Sequence, residues 1–317
     1  MDNAAASLDD RFEAALDRLV PQLETKGQKL GLAVSGGPDS VALLLLALKA
    51  CPHRIAAATV DHGLRPAARA EAEFVSSLCR ERGIAHHILR PAVPIRGSIQ
   101  SAARRARYGL LHDWMRDNDV HWLATAHHAD DQLETMIMRI LRGSGIDGMS
   151  GIREKRGNII RPLLHFEKSE LISYVASHDI DAVDDPSNRD QGYDRVRVRN
   201  ALEDLEGFDT RLASQSASAL GAAREAIEWM VERLADEHIA TTDSGCTLSQ
   251  SAFPHELQRR LLLRCLHICD PALSPRGSQI DQTILALENG ETVTLGDILC
   301  RGGEIWQFQP APKRRGG

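Results

Sequence analysis

The sequence predicts an α/β fold: a mainly parallel sheet with helices on both faces, then a long helical linker and a small α+β domain. Three observations carry this. Short apolar runs alternate with helical patterns as far as about Asn200; a Gly-rich loop joins the first apolar run to the first apolar helix; and beyond Asn200 the alternation gives way to one long stretch rich in Ala, Glu and Arg. At 317 residues the chain suits two domains, and a hydrophobic fraction of 43% supplies cores for both.

The elements follow in order. Lys29 to Val34 reads as a strand, and the loop after it leads into an apolar helix from about Ser40 to Ala50. Arg54 to Val60 is a second strand; Pro66 sits near the start of the next helix, which runs through Arg82 and stops at Gly83. Ala85 to Leu89 is a third strand, Ser98 to Asn118 a long helix, and His121 to Ala126 a fourth strand. Asp130 to Leu141 is helical, closed by Gly143-Ser144-Gly145. Asn158 to Leu164 is expected as a fifth strand and Glu167 to His178 as a helix. Residues 1–208 then form the first domain, 209–240 the linking helix (Asp209 to Ile239), and 241–317 the second domain. That domain holds helices at Pro254 to Cys269 and Ser278 to Glu288, and short strands near Thr292 to Leu295, Asp297 to Cys300 and Glu304 to Phe308. The tail from Ala311 is expected to be disordered.

Composition excludes several classes. The longest apolar run, Val41 to Leu48, falls far short of the roughly 18 residues a membrane helix needs, and the amino terminus lacks the basic start and apolar run of a secretory signal. A cytoplasmic protein is expected. None of the six cysteines forms a Cys-x-x-Cys pair, so buried free thiols are expected rather than zinc or redox chemistry. The net charge of −6 argues weakly against nucleic acid, yet the basic residues cluster. One cluster is Arg96, Arg104, Arg105 and Arg107; another runs from Arg139 and Arg142 through Arg153, Lys155, Arg156 and Arg161; a third is Arg189, Arg195, Arg197 and Arg199.

The loop Ser35-Gly36-Gly37-Pro38-Asp39-Ser40 carries the most chemistry. Two glycines after a strand let the backbone turn sharply and bring N–H groups near an anion, and the helix terminus that follows favours negative charge. It lacks the Gly-Lys-Ser/Thr of a Walker loop and is not Gly-x-Gly-x-x-Gly. Asp39 would repel a phosphate unless Mg²⁺ intervenes, which makes it a candidate metal residue; a helix-capping Asp is the alternative. Asp61 and His62 end the second strand in Val60-Asp61-His62-Gly63-Leu64-Arg65, at the ligand edge of the sheet beside the loop, with turn capping the alternative for Asp61. His127 leaves the fourth strand, and Asp130, Asp131 and Glu134 occupy the first turns of the next helix, where spacings of three and four share a face. This set suits Mg²⁺ and proton transfer, although acids there also suit the helix dipole.

The loop resembles that of the PP-loop ATP pyrophosphatase superfamily, whose fold is Rossmann-like and whose members split ATP between the α and β phosphates. The further motifs Val60-Asp61-His62-Gly63-Leu64-Arg65, Ala126 to Thr135 (Ala-His-His-Ala-Asp-Asp-Gln-Leu-Glu-Thr), Arg161-Pro162-Leu163-Leu164 and Asp185-Pro186-Ser187-Asn188 look like the tRNA(Ile)-lysidine synthase family. The likeness is continuous over residues 29–200 and resumes at Pro254 to Leu266, Gln279-Ile280-Asp281 and Thr294-Leu295-Gly296. It departs at Arg195-Val196-Arg197-Val198-Arg199, where the family usually has Asn after the first Arg and Ile before the last.

The resemblance implies an ATP- and Mg²⁺-dependent ligase that joins free lysine to carbon 2 of the wobble cytidine in an isoleucine tRNA with a CAU anticodon. It implies ATP binding by Ser35, Gly36, Gly37, Pro38, Asp39, Ser40 and Asp61, with Asp39 and Asp131 at the metal. His127, Asp130, Asp131 and Glu134 become the acid–base and lysine-recognising groups, with Asp39, Arg104 and Arg107 in the catalytic set. Arg195 and Arg199 hold phosphates, and Asp185 and Asn188 join them in substrate binding. The second domain is expected to help reject methionine tRNA; a homodimer is compatible with the sequence without being specified by it. A thiolase of the same superfamily would need cysteine pairs, and a small-metabolite ligase would need neither the basic clusters nor the second domain.

Overall fold

Strand residues here alternate between two cores, and that alternation makes the first sheet. The computed structural model describes residues 6–63, 66–91, 99–183, 194–203, 209–249 and 252–312. The chain divides into two compact units, Met1–Gly221 and Ala222–Gly317. In the first, the sheet order is β3-β2-β1-β4-β6-β5. Its strands are β1 (Leu30–Ala33), β2 (Ile55–Val60), β3 (Ala85–Leu89), β4 (Trp122–Ala124), β5 (Lys155–Arg156) and β6 (Ile159–Ile160). All neighbours pair in parallel except β5 with β6.

Leu30, Leu32, Ala57 and Ala124 face one core, shared with α1 (Leu8–Leu19), α2 (Pro38–Ala50), α3 (Pro66–Glu81) and α7 (Lys168–Ala176). Ala56, Ala58 and Leu123 face the other, against Leu111, Trp114 and Met115 of α4 (Ile99–Asp117). Gly31 is required on that side, because a Cβ there would come within 2.8 Å of the Trp114 ring. Every residue from Ser40 to Ala47 in α2 is buried, so this helix is apolar all round and lies at the centre of its layer. Each of its buried leucines contributes roughly 1.5–3 kcal/mol relative to exposure.

The expected strands and helices of the sheet appear within a few residues of their predicted bounds. The fifth strand does not: Asn158 to Leu164 yields only Ile159–Ile160, paired antiparallel with β5 as well as parallel with β4. Pro162 has no N–H to offer a ladder, and the chain instead turns, with Leu164 N–H on Arg161 O and Phe166 N–H on Leu163 O. Helix α1 was not anticipated. Its start is a reciprocal cap between Ser7 and Asp10, and Phe12, Leu16 and Leu19 form its buried stripe. Also unanticipated are α6 (Ile146–Met149) and α8 (Asp194–Glu203). Helix α5 is Ala129–Ile140 and the long helix α9 is Thr210–His238.

The second unit holds an antiparallel sheet of order β7-β8-β11-β10-β9. Its strands are β7 (Ile239–Thr242), β8 (Gly245–Leu248), β9 (Thr292–Leu295), β10 (Ile298–Arg301) and β11 (Trp306–Pro310), the first two absent from the expectation. Cys246, Leu248, Ile298, Cys300, Trp306 and Phe308 pack with Leu261, Leu262, Cys265 and Leu266 of α10 (His255–Cys269), and with Ile280, Ile284 and Leu287 of α11 (Gly277–Glu288). All six cysteines are free thiols, five of them buried. Among the described residues, no helix is long and apolar enough to cross a membrane. Residues 313–317, the end of the tail expected to be disordered, lie outside the described residues.

Candidate active site

The strand order dictates where a ligand fits. From β1 the chain crosses through α2 to β2 on one side, and it later returns to β4 on the other. The loops after β1 and β4 therefore diverge and open a crevice at the carboxyl ends of the strands. A cleft of about 1290 Å³ lies there, bounded by the Ser35–Ser40 loop, the ends of β2 and β4, α4, α7 and α8.

Ser40 organises the loop. Its hydroxyl accepts the N–H groups of Ser35 and Gly36, both at 3.1 Å, and donates to Gly37 O at 2.9 Å. Gly36 has φ +98°, a conformation that L side chains rarely adopt. Val183 N–H braces the loop from outside by donating to Gly36 O. Gly37 is the N-cap of α2 without a side-chain cap, which leaves the terminus to an outside acceptor.

The acids converge on His128, the neighbour of the predicted His127. His128 Nε2 lies 3.5 Å from Asp39 Oδ2 and 3.6 Å from Asp131 Oδ2, and Nδ1 lies 3.4 Å from Asp130 Oδ2 without hydrogen-bond alignment. Burial works against a charged imidazole, yet Asp130, Asp39 and Asp131 outweigh it and push the His128 pKa up to about 10. Burial likewise opposes the charge on Asp130 and Asp131. For Asp130 the contact with His128 and the N–H of Lys168 hold the carboxyl below its ordinary value; for Asp131 the charges of His128 and Arg195 do so. Asp39 Oδ1 is buried without a partner.

His127 does line the cleft, with Nδ1 2.9 Å from Thr125 Oγ1. Burial drives its pKa down to about 3, against Asp131 and with help from Arg161, Arg195 and Arg104. At neutral pH it is therefore an uncharged hydrogen-bonding group, whereas the adjacent His128 is a cation.

Other predicted residues take places that the sequence left open. Asp131, Arg104, Arg107, Arg195 and Arg199 line the cleft, as do the loop residues Ser35, Gly37, Pro38, Asp39 and Ser40. Glu134, only 3% exposed, was expected to face the ligand; instead Arg195 Nε (2.5 Å) and Arg199 Nε (2.6 Å) occupy its two oxygens. Arg195 also reaches Asp131 Oδ1 at 2.9 Å, so these arginines tie α8 to α5 while their outer edges meet the cleft. Asp130 turns away to cap α7, accepting the Lys168 N–H at 3.0 Å. Asp61 takes the turn-capping alternative: Oδ1 accepts Gly63 N–H and Oδ2 pairs with Arg90, and His62 lines the cleft in its place. Asp185 and Asn188 lie outside the described residues, as do Arg96 and Arg189.

Sequence reasoning placed His62 at the ligand edge beside Asp61, without assigning it a role, and missed His128 and Lys168. For the histidines the signal was adjacency alone: a strand end followed by His-His or Asp-His puts consecutive side chains on opposite sides, and only the cap geometry decides which goes where.

Comparison with known proteins gives one reading. The family described as the PP-loop domain matches residues 8–206. A protein named tRNA(Ile)-lysidine synthase from Zymomonas mobilis is 39% identical over 297 residues, covering 90% of each chain. One of the same name from Novosphingobium aromaticivorans is 40% identical, covering 96% of this chain and 94% of that one. Among solved structures, the U34-tRNA thiolase NcsA from Methanococcus maripaludis superposes with a TM-score of 0.54 at 16% identity, over 68% of this chain and 78% of that chain; at that identity it attests the fold alone.

Proposed function

The chain belongs to the PP-loop domain family and, within it, to the tRNA(Ile)-lysidine synthases, and from that premise we propose that it ligates free lysine to carbon 2 of the wobble cytidine in a CAU-anticodon isoleucine tRNA. ATP is the activating substrate. The cytidine carbon-2 oxygen attacks the α-phosphorus, an O–P bond forms and pyrophosphate leaves. The ε-nitrogen of lysine then attacks carbon 2, AMP leaves with the carbon-2 oxygen, and the nitrogen gives up its proton.

The observation that carries this reading is the convergence of Asp39, from the phosphate loop, and Asp131, from the helix after β4, on one buried imidazole at the strand ends. The glycine turn and the amino terminus of α2 can receive the phosphates. Arg104 and Arg107 on α4 supply positive charge toward the leaving group. Neutral His127, in the cleft lining with Asp131, supplies a hydrogen-bonding partner for the attacking amine. The anticodon base must leave its stack to enter such a cleft, which a single-stranded loop allows.

The same residues suit Mg²⁺. Asp39 Oδ1 is a buried carboxylate oxygen without a partner, and among the described residues no group of three His, Cys, Asp or Glu forms an all-protein cage. Mg²⁺ is commonly held by one or two carboxylates together with substrate phosphates. Asp39 and Asp131 would hold it, and when bound it supplies neutralisation of the charge on the leaving pyrophosphate.

The test is incubation with ATP, labelled lysine, and isoleucine tRNA transcripts bearing CAU or GAU anticodons. Label entering the CAU transcript alone is expected. Pyrophosphate release without tRNA, and no labelled RNA, would instead indicate a small-molecule ligase.

A further inference from the structure

Helix α4 sets two like charges side by side. Arg104 and Arg107 stand on adjoining turns of it, and both line the cleft. The usual holder of such a pair is a carboxylate, yet neither guanidinium has an ion pair among the described residues. Both lie instead over one aromatic ring. Arg104 Cζ is 5.2 Å and Arg107 Cζ 5.7 Å from the centre of the Tyr108 ring, inside the roughly 6 Å over which an aromatic face attracts a cation. Arg104 and Tyr108 are one turn apart and share a face of the helix, while Arg107 reaches the ring from the adjacent position.

The ring itself is fixed. Its hydroxyl is buried beside the Arg161 guanidinium without hydrogen-bond alignment. Arg161 is only 6% exposed and is anchored by Nη1 on Arg153 O at 2.5 Å. Arg107 needs such support: burial draws its pKa below the ordinary value, and the charge of Arg104 adds to that.

A ring and a carboxylate hold arginine with opposite consequences. A carboxylate orients the guanidinium by cancelling its charge, as Glu134 does for Arg195 and Arg199. An aromatic face orients it through the ring quadrupole and leaves the net charge intact. Charge that stabilises a reacting anion must be ordered before the reaction, and long arginine side chains lose much freedom in the ordering. Two arginines held on a ring meet both demands.

We propose that Tyr108 is a positioning residue for the adenylation step, its ring holding Arg104 and Arg107 on the cleft wall with both charges left for the anion that develops there. This assignment rests on the ligase reading above and adds to it the means by which the two arginines are set in place before ATP reacts.

Single-turnover kinetics with the CAU transcript provide the test, because pyrophosphate release and incorporation of labelled lysine report the two steps separately. Tyr108→Leu keeps apolar bulk without a π face and should slow tRNA-dependent pyrophosphate release about 10- to 100-fold. The KM for lysine should stay within about threefold. Tyr108→Phe keeps the ring and should recover the rate to within about threefold of the parent. Fluorine in place of ring hydrogens in Tyr108→Phe withdraws charge from the π face with little change of shape. One, two and three fluorines should therefore lower the rate stepwise, whereas a packing role would leave it level. With Arg104→Met and Arg107→Met already present, Tyr108→Leu should cost no more than about threefold further. A rate independent of fluorination, a loss in Tyr108→Phe as large as in Tyr108→Leu, or losses that multiply with those of the arginine variants overturns the assignment while leaving the ligase intact. The fluorine series decides the matter if Tyr108→Leu fails to fold. A parent enzyme that releases no pyrophosphate with the CAU transcript overturns both readings.

Discussion

Asp39 Oδ2 stands 3.5 Å from Nε2 of His128, so the first turn of α2 and the N-cap of α5 meet through a buried ion pair across the switch point of the sheet. Asp39 of the phosphate loop and His128 of the His-Asp-Asp motif, 89 positions apart in number, thus form one site. Asp39→Ala and Asp131→Ala are each expected to lower lysidine formation at least about 100-fold, the scale on which preorganised charge acts. Full activity in either variant, measured with labelled lysine, would remove that residue from the catalytic set.

His128→Ala should be a stability variant as much as an activity variant. It takes from Asp39, Asp130 and Asp131 their shared cation, a side chain only 5% exposed. Removing one partner of a buried pair costs about 3–5 kcal/mol. Urea unfolding of the variant at pH 7 checks this, and a loss below 1 kcal/mol would mean that solvent already screens the cluster.

Glu134→Gln should loosen α8. Both Arg195 and Arg199 lose a charged partner, and the side chain of Glu134 is nearly inaccessible to water, which could otherwise replace it. Hydrogen exchange in residues 194–203 is expected to accelerate roughly 10- to 100-fold, as loss of charged hydrogen bonds worth about 1.5–3 kcal/mol implies. Unchanged exchange there, with α5 also unchanged, would show that α8 is held by other contacts.

Ser40→Ala tests the loop without touching a charge. The Ser35 and Gly36 N–H groups lose their acceptor, which costs about 1–3 kcal/mol when such donors stay buried. The melting temperature without ATP should fall, and saturating ATP should narrow the gap, since phosphate oxygens can accept from the freed donors. A gap that ATP leaves unchanged would place the phosphates elsewhere.

Acid sensitivity should trace in part to Glu154. Burial opposes its charge, yet Arg18, at 2.5 and 2.7 Å, and His165, at 2.7 Å, bring its pKa from the ordinary 4.5 down to about 2. A carboxylate depressed in the folded state stabilises above its unfolded pKa and loses that contribution as pH falls toward the folded value. Glu154→Gln should therefore be less stable than the parent by about 2 kcal/mol at pH 6, with the difference largely gone near pH 2. A difference independent of pH would assign the loss to packing instead.

The parallel sheet and its order of elements were legible because apolar runs of strand length and amphipathic helices repeat with little interruption from Lys29 to Ala176. What escaped had weak or mixed patterns. Helix α8 reads Asp-Arg-Val-Arg-Val-Arg-Asn, an alternation closer to a strand, and becomes helical where Arg195 and Arg199, one turn apart, both reach Glu134. Strands β7 and β8 are four residues each with few large apolar side chains, and their ladder depends on β11, some sixty residues later.

By itself the sequence determined the chemical inventory: a glycine turn able to bind phosphate, a strand-end set of acids and histidines, and arginines on the helices around them. Tertiary structure alone decided which members of that inventory meet a ligand. His128 and not His127 gathers the carboxylates, His62 and not Asp61 enters the cleft, and Glu134 turns to the arginines of α8. The reason is geometric. Sequence spacing sets which residues share a face of one element, but whether that face meets a cavity or a neighbouring helix depends on partners that arrive from distant parts of the chain.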